Sequence, residues 1–202
     1  MADATTMSPD EHTTTGLPST KLAMWLFLAS ETLLFGALIT AYVLYRGASE
    51  VGPYPADIFD IAYTSVSSFV LLASSLTMVL SLVAAEKRDY ARMRVWLLAT
   101  AFLGLSFVGG QVYEFTTFYH EGLAITTNLF GTTFYVLTGF HGVHVTVGIL
   151  MLLSLVGMSW SGRMPEDVGF PVEMVGLYWH FVDIVWIVIF VVVYLIPTPN
   201  PG

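Results

Sequence analysis

Residues 174–196 read MVGLYWHFVDIVWIVIFVVVYLI, a run that contains one aspartate, Asp183, and one histidine, His180, but no glutamate, lysine or arginine. A helix needs about 20 apolar residues to cross the hydrocarbon core of a bilayer. Barrel strands are shorter than this run, and their apolar residues alternate with polar ones. The run therefore predicts a transmembrane helix.

Four similar apolar segments precede it, at residues 21–45, 58–85, 93–118 and 127–158. Charged residues make up 11% of the chain, whereas a soluble domain carries about a quarter. Because only helices or closed barrels satisfy the backbone in hydrocarbon, the segments predict an all-α bundle of five transmembrane helices. The bundle spans residues 21–196, with polar tails at 1–20 and 197–202 and no separate soluble domain.

The basic residues predict the orientation of this bundle. Six of the seven fall on one side of the predicted membrane, and Arg46 falls on the other. The six are Lys21, Lys87, Arg88, Arg92, Arg94 and Arg163. Since basic residues accumulate on the cytoplasmic side, the N-terminus is expected in the cytoplasm and the C-terminus outside a bacterial inner membrane.

Several classes of function are excluded by composition and motifs. The chain has no cysteine, which rules out disulfides, iron–sulfur clusters and thiolate zinc sites. Its net charge of −8 gives no indication of nucleic-acid binding. Glycine-rich phosphate loops, catalytic triads and zinc patterns are also missing. The chemistry of the chain therefore depends on a few polar side chains in apolar segments.

Glu31 is the first of these side chains. It lies about ten residues into the first segment, about 15 Å along a helix axis and near the middle of the membrane. With no basic residue within one turn, burial favours the neutral, protonated carboxyl. Two interpretations remain open, a proton-exchanging or lipid-contacting carboxyl and a neutral acid that hydrogen-bonds to a neighbouring helix.

His141 and His144 stand three residues apart in the fourth segment, a spacing that predicts a shared helix face. Such a pair suggests haem or copper ligation. However, a third good copper ligand is not evident nearby, and a bis-histidine haem usually takes ligands from facing helices. Interhelical hydrogen bonding, or lining of a lipid or gas path, is therefore the preferred interpretation.

A polar cluster opens the fifth segment with Glu173, His180 and Asp183. His180 and Asp183 are three residues apart, so a carboxylate beside the imidazole would favour a protonated, paired histidine. A structural polar cluster at the helix entry is the preferred interpretation. Glu114 closes the third segment and is expected near water at the outer interface.

Four stretches, taken in order, resemble subunit III of the haem–copper respiratory oxidases. They are LFLASETLLFGALITAY at 26–42, QVYEFTT with GTTFYVLT at 111–117 and 131–138, GFHGVHVTVG at 139–148, and YWHFVDIVW at 178–186. The resemblance covers residues 21–196. The chain is similar to the short, five-helix form of the family rather than the seven-helix form.

The resemblance implies a subunit without a redox centre. It implies direct packing beside subunit I, with subunit II and a small subunit IV in the same complex and haem and copper in the partner subunits. Support of proton uptake, protection of turnover and phospholipid binding are the expected roles. Glu31 matches the buried carboxyl of the family's first core helix. The family's polar positions fall on His141, His144, Glu173, His180 and Asp183.

Three alternatives accompany this interpretation. The same subunit occurs in quinol oxidases, although the stretch at 178–186 favours cytochrome c as the electron donor. A small proton-coupled transporter would use Glu31 and the histidines, but such proteins often contain internal repeats or broken helices, and neither is evident. A membrane cytochrome would bind haem through His141 or His144.

Overall fold

The computed structural model describes residues 18–49, 52–53 and 59–196, and this part of the chain is helical without a strand. Its helices are α1 (Ser19–Tyr45), α2 (Ile61–Glu86), α3 (Tyr90–His120), α4 (Leu129–Trp160) and α5 (Gly169–Phe190). A π-helical turn, Val191–Leu195, extends α5. All five are long and apolar enough to cross a membrane. The predicted five-helix membrane bundle is confirmed, while both tails lie outside the described residues apart from 18–20.

Side-chain caps determine where three of the helices begin. Asp60 accepts a hydrogen bond from the Tyr63 backbone N–H at the start of α2. Asp89 and Asn128 do the same for α3 and α4. Such caps satisfy backbone donors that have no partner inside the helix.

α5 begins five residues before the predicted position of 174. The gap between the predicted segments 127–158 and 174–196 includes Pro171, and that boundary is wrong. Pro171 is the third residue of α5. The first turn tolerates proline because its N–H groups have no intrahelical acceptor.

The five helices pack in a definite pattern around α5. α2 packs against α3 and α5, and α4 packs against α3, α5 and α1. α1 contacts mainly α4 and α5, so it lies at one edge of the bundle. Its buried residues are Leu28, Phe35 and Tyr42, one in every seven. That spacing is close to two helical turns, so the three side chains form a single narrow line.

Two indole rings of α5 fill the centre of the bundle. Trp179 is fully buried, and its Nε1 donates to Ser74 Oγ of α2 over 2.8 Å. Trp186 donates in the same way to Ser68 Oγ over 2.9 Å. Glycines of α3 and α4 accommodate the Trp179 ring, because a Cβ on Gly104 or Gly148 would lie 2.6 or 2.8 Å from ring carbons. These close approaches require glycine.

The two ends of the bundle differ in charge. We call the end with the start of α1 and the connections 87–89 and 161–168 the basic end. There Lys21 forms an ion pair with Glu173, and Arg88 donates to the Glu166 carbonyl. At the other end Arg46 donates to the Val192 carbonyl. The helix order thus separates the basic residues as predicted, while their orientation in a membrane stays a prediction.

Candidate functional site

Glu31 has a partner, and that partner comes from another helix. Its Oε2 lies 3.1 Å from Nε2 of His144 on α4. Each of the two side chains is 15% exposed. The sequence gives Glu31 no basic neighbour within one turn, and the structure supplies a partner from a neighbouring helix, in agreement with one of the two interpretations left open. The histidine stands 113 residues further along the chain.

The hydrogen bonds of His144 define how many protons the pair holds. Nδ1 lies 2.7 Å from the Phe140 carbonyl oxygen one turn earlier. Since a carbonyl can only accept, Nδ1 carries a hydrogen. Nε2 and the Glu31 carboxyl then share one further proton, which resides either on the imidazole or on the acid. The pair is therefore joined by a single hydrogen bond.

The pair lies beside a groove of about 330 Å³ between α1, α4 and α5. Apart from Glu31 and His144, its lining is largely apolar, consisting of Met24, Phe27, Val143, Val147, Met151 and Tyr178. Tyr178 Oη donates to the His144 backbone carbonyl over 3.0 Å, which fixes α5 against α4 at this depth. Phe35 and the imidazole pack in a T-shaped arrangement, with ring centroids 5.0 Å apart. The proton-holding pair thus borders an apolar groove.

His141 lies in a different environment from His144. It is fully buried and stacks on Trp186 with a centroid distance of 4.9 Å. Phe107 meets its ring edge-on, and neither ring nitrogen has a hydrogen-bond partner among the described residues. The two histidines both contact Phe35, but of the two only His144 has hydrogen-bond partners among the described residues. Within the described ranges, no three His, Asp or Glu side chains form a cluster suited to a metal ion.

His180 and Asp183 are connected through a hydroxyl group rather than directly. Ser75 Oγ donates to Asp183 Oδ2 over 2.6 Å and lies 2.8 Å from His180 Nδ1. A hydroxyl has one hydrogen, so toward Nδ1 it acts as the acceptor, and Nδ1 carries the hydrogen. Asp183 Oδ1 is buried without a partner among the described residues. The imidazole and the carboxylate therefore do not pair directly, which contradicts the less favoured interpretation of a protonated, paired histidine.

Glu114 and Glu173 occupy contrasting positions. Glu114 is 7% exposed and accepts a 2.7 Å hydrogen bond from Thr64 Oγ1 of α2, so the expectation that water reaches this carboxyl is wrong. Glu173 lies at the basic end in its ion pair with Lys21. The polar residues of the resemblance thus occupy separate places and do not form one site.

Sequence reasoning missed the hydroxyl groups of α2. Thr64 binds Glu114, Ser68 and Ser74 bind the two indoles, and Ser75 binds His180 and Asp183. The signal was present as small hydroxyl residues recurring at helical spacing through an apolar segment. Such residues are enriched where transmembrane helices pack closely and hydrogen-bond to one another.

A family model described as cytochrome c oxidase subunit III matches residues 2–197 of the chain. The chain belongs to this family. It is 40% identical over 179 residues to cytochrome c oxidase subunit 3 of Thermostichus vulcanus, covering 87% of this chain and 86% of the relative. It is also 40% identical over 198 residues to the Synechocystis protein of the same name, covering 95% and 82%.

Quinol oxidases also contain relatives of this subunit III. Identity is 33% over 196 residues to cytochrome bo(3) ubiquinol oxidase subunit 3 of Pseudomonas aeruginosa, covering 96% of this chain and 94% of the relative. The protein is therefore subunit III of a terminal oxidase, an integral multi-pass membrane component of an oxidoreductase complex that contains other subunits.

Proposed function

We propose that this subunit supports proton uptake and turnover stability of a cytochrome c oxidase, and that Glu31 and His144 are the residues responsible. The observation that carries the proposal is the 3.1 Å contact between Oε2 and Nε2 at the border of an apolar groove. Ionisable side chains at membrane depth are costly, so a pair retained there suggests a functional role.

The arrangement is suited to holding a proton near the catalytic subunit. The Phe140 carbonyl anchors one imidazole nitrogen, so the ring is oriented while the other nitrogen exchanges a proton with the carboxyl. Imidazole changes charge near neutral pH more readily than other side chains. In this proposal the pair buffers proton supply to subunit I and carries no electron.

The groove beside the pair is proposed to bind a phospholipid acyl chain. Its lining offers methionine, valine and aromatic side chains to hydrocarbon. A bound lipid would exclude water from the carboxyl and fill the space between α1 and α4. Loss of lipid there is the physical route by which a change at Glu31 would alter turnover stability.

The proposed assembly follows from the family. Subunit I contacts this chain directly, subunit II and a small subunit IV complete the complex, and the partner subunits hold haem and copper. The basic end faces the cytoplasm of a bacterial inner membrane, in accord with the excess of basic residues. Cytochrome c is the proposed donor because the two relatives described above at 40% identity are each named cytochrome c oxidase subunit 3. Quinol is the alternative, supported by the relatives in quinol oxidases.

The role of Glu31 is tested by Glu31→Ala in the purified complex. We expect fewer turnovers before inactivation and less bound phospholipid, with the haem absorbance per complex unchanged. Glu173→Gln is the matched control, because it removes an acid from the basic end and leaves the groove intact. Loss of the haem spectrum from an assembled mutant complex, or wild-type inactivation and lipid content, would show that the assignment is wrong.

A reduced-minus-oxidised spectrum with metal analysis of the complex identifies the donor class. Haem a, together with more copper than the single ion beside the oxygen-reducing haem, supports cytochrome c, because the extra copper belongs to the electron-entry site. Haem b or o with one copper supports quinol. A stable preparation without haem and copper would contradict both.

A further inference from the structure

A second groove, of about 730 Å³, lies between α2 and α3 at the basic end. This volume is within the range of small-molecule binding sites, about 300–1,000 Å³. We propose that the groove binds an anionic phospholipid, with the phosphate at its charged rim and an acyl chain along its apolar walls. It shares no lining residue with the groove beside Glu31. Binding there does not depend on the role proposed for Glu31.

The charge of the rim favours an anion. Lys87, Arg92 and Asp89 line the groove, so two cations and one acid leave one net positive charge. The Asp89 carboxylate is already engaged, since Oδ1 accepts from the Arg92 N–H and Oδ2 lies 3.3 Å from Arg92 Nε. Lys87 forms no ion pair with any residue the structure describes. An exposed ammonium without a counter-ion is thus available at the rim.

The walls below the rim favour hydrocarbon. Val83 lies one turn before Lys87 on α2, and Trp96 lies one turn after Arg92 on α3, each about 6 Å deeper along its helix. Val95 is 62% exposed, and Leu80 extends the apolar wall of α2 further. Tryptophan near a membrane interface commonly sits at headgroup level. Cations above an apolar cleft therefore match an amphiphile better than a free anion.

The neighbouring surface at the basic end has the opposite charge. A pocket of about 480 Å³ toward α5 is lined by Glu86, Glu166 and Asp167, with Arg88 as its only cation among the lining residues. A phosphate approaching this end is repelled by the acidic pocket and attracted to the groove between α2 and α3. Basic clefts between transmembrane helices on the cytoplasmic side are known to attract anionic headgroups. The separation of charge at this end thus directs the headgroup to one place.

The test is photolabelling of the intact oxidase complex in nanodiscs. The discs contain phosphatidylcholine with a minor fraction of phosphatidylglycerol, and either lipid carries a diazirine in its acyl chain. After illumination, mass spectrometry locates the labelled residues of this subunit. We expect phosphatidylglycerol to label residues 80–96 about fivefold more than phosphatidylcholine does, the discrimination of roughly one basic side chain near the surface.

Matched variants separate this site from general attraction to a basic surface. Lys87→Gln should remove most of the preference for phosphatidylglycerol, and Lys87→Arg should retain it. Arg163→Gln removes one exposed cation from the same end outside the groove, and it should leave labelling of 80–96 unchanged.

Four results would overturn the proposal. The first is equal labelling by the two lipids. The second is an unchanged preference for phosphatidylglycerol in Lys87→Gln. The third is crosslinking of a photoreactive group at residue 83 to another subunit rather than to lipid. The fourth is elimination of phosphatidylglycerol labelling by inorganic phosphate at matched ionic strength, which would indicate a site for soluble anions. None of these results bears on Glu31, so failure here is distinguishable from failure of the proposed function.

Discussion

α1 and α5 are similarly apolar, yet they occupy opposite positions in the bundle. α5 buries ten residues and packs at the centre, whereas α1 buries three and lies at the edge. α5 contributes large aromatic rings, which glycines and serines of other helices accommodate. α1 contributes only a narrow line of three buried side chains. Hydropathy therefore places a helix in the membrane. Its position in the bundle depends on whether its large side chains find glycines to pack against and hydroxyl groups to hydrogen-bond with on neighbouring helices.

The largest effect is expected from removal of a central ring. Trp179→Ala leaves a cavity among α2, α3, α4 and α5 and should lower the free energy of unfolding by about 3–5 kcal/mol. Trp25→Ala in α1 is the control, because Trp25 is 49% exposed. Unfolding in mixed micelles, followed by circular dichroism, measures both variants. Equal losses would contradict the distinction between centre and edge.

A smaller loss of stability is expected when a side chain replaces a glycine that packs against the Trp179 ring. Gly148→Ala places a Cβ 2.8 Å from Trp179, and such overpacking costs about 1–3 kcal/mol. Gly139→Ala on the same helix meets no atom within 4 Å and should be neutral or stabilising, because alanine favours helices. The same unfolding assay compares the two. A neutral Gly148→Ala would mean that the ring does not require this close approach.

A third comparison concerns the hydrogen bond between Glu31 and His144, which among the described residues is the polar side-chain contact from the middle of α1 to another helix. A double-mutant cycle of Glu31→Ala and His144→Ala should give a coupling energy of about 0.6–1.7 kcal/mol, typical of hydrogen bonds between transmembrane helices. A parallel cycle of Glu31→Ala with His141→Ala should give a value below about 0.5 kcal/mol, since no hydrogen bond joins those side chains. Similar couplings in the two cycles would place the partner of Glu31 elsewhere.

The smallest effect is expected at the basic end of α1. Lys21→Ala breaks the ion pair with Glu173, in which the side chains are 27% and 35% exposed. Partly exposed pairs contribute about 0–1 kcal/mol and weaken with salt. Stability measured at low and high salt checks this. A loss that persists unchanged at high salt would show that the contact is not chiefly electrostatic.

The sequence was sufficient for the number of helices and for the grouping of basic residues. Both follow from patterns along the chain. The length of the apolar runs gives the helices, and the position of each basic residue between successive runs gives its side of the membrane. Pro171 shows the limit of such patterns, because its effect depends on whether it lies before a helix or within the first turn.

The sequence identified residues of the candidate site but not the contacts between them. Glu31 and His144 were both identified, but their contact depends on which helices are neighbours, and α1 pairs with α4 rather than with the adjacent α2. Ser75 illustrates a second reason. A serine in an apolar run carries no sign of its partner, so its position between His180 and Asp183 becomes evident only in three dimensions.

The pairing of α1 with α4 also implies a delay during biosynthesis, because α1 is made well before its partner helix. Glu31 leaves the ribosome 113 residues before His144, and at about 5–20 residues per second this interval is on the order of ten seconds. During that time α1 resides in the membrane without the helix that accommodates its acid. Its own apolar residues must keep it inserted. Polar substitutions among them would therefore reduce insertion of the nascent chain, before the subunit is complete.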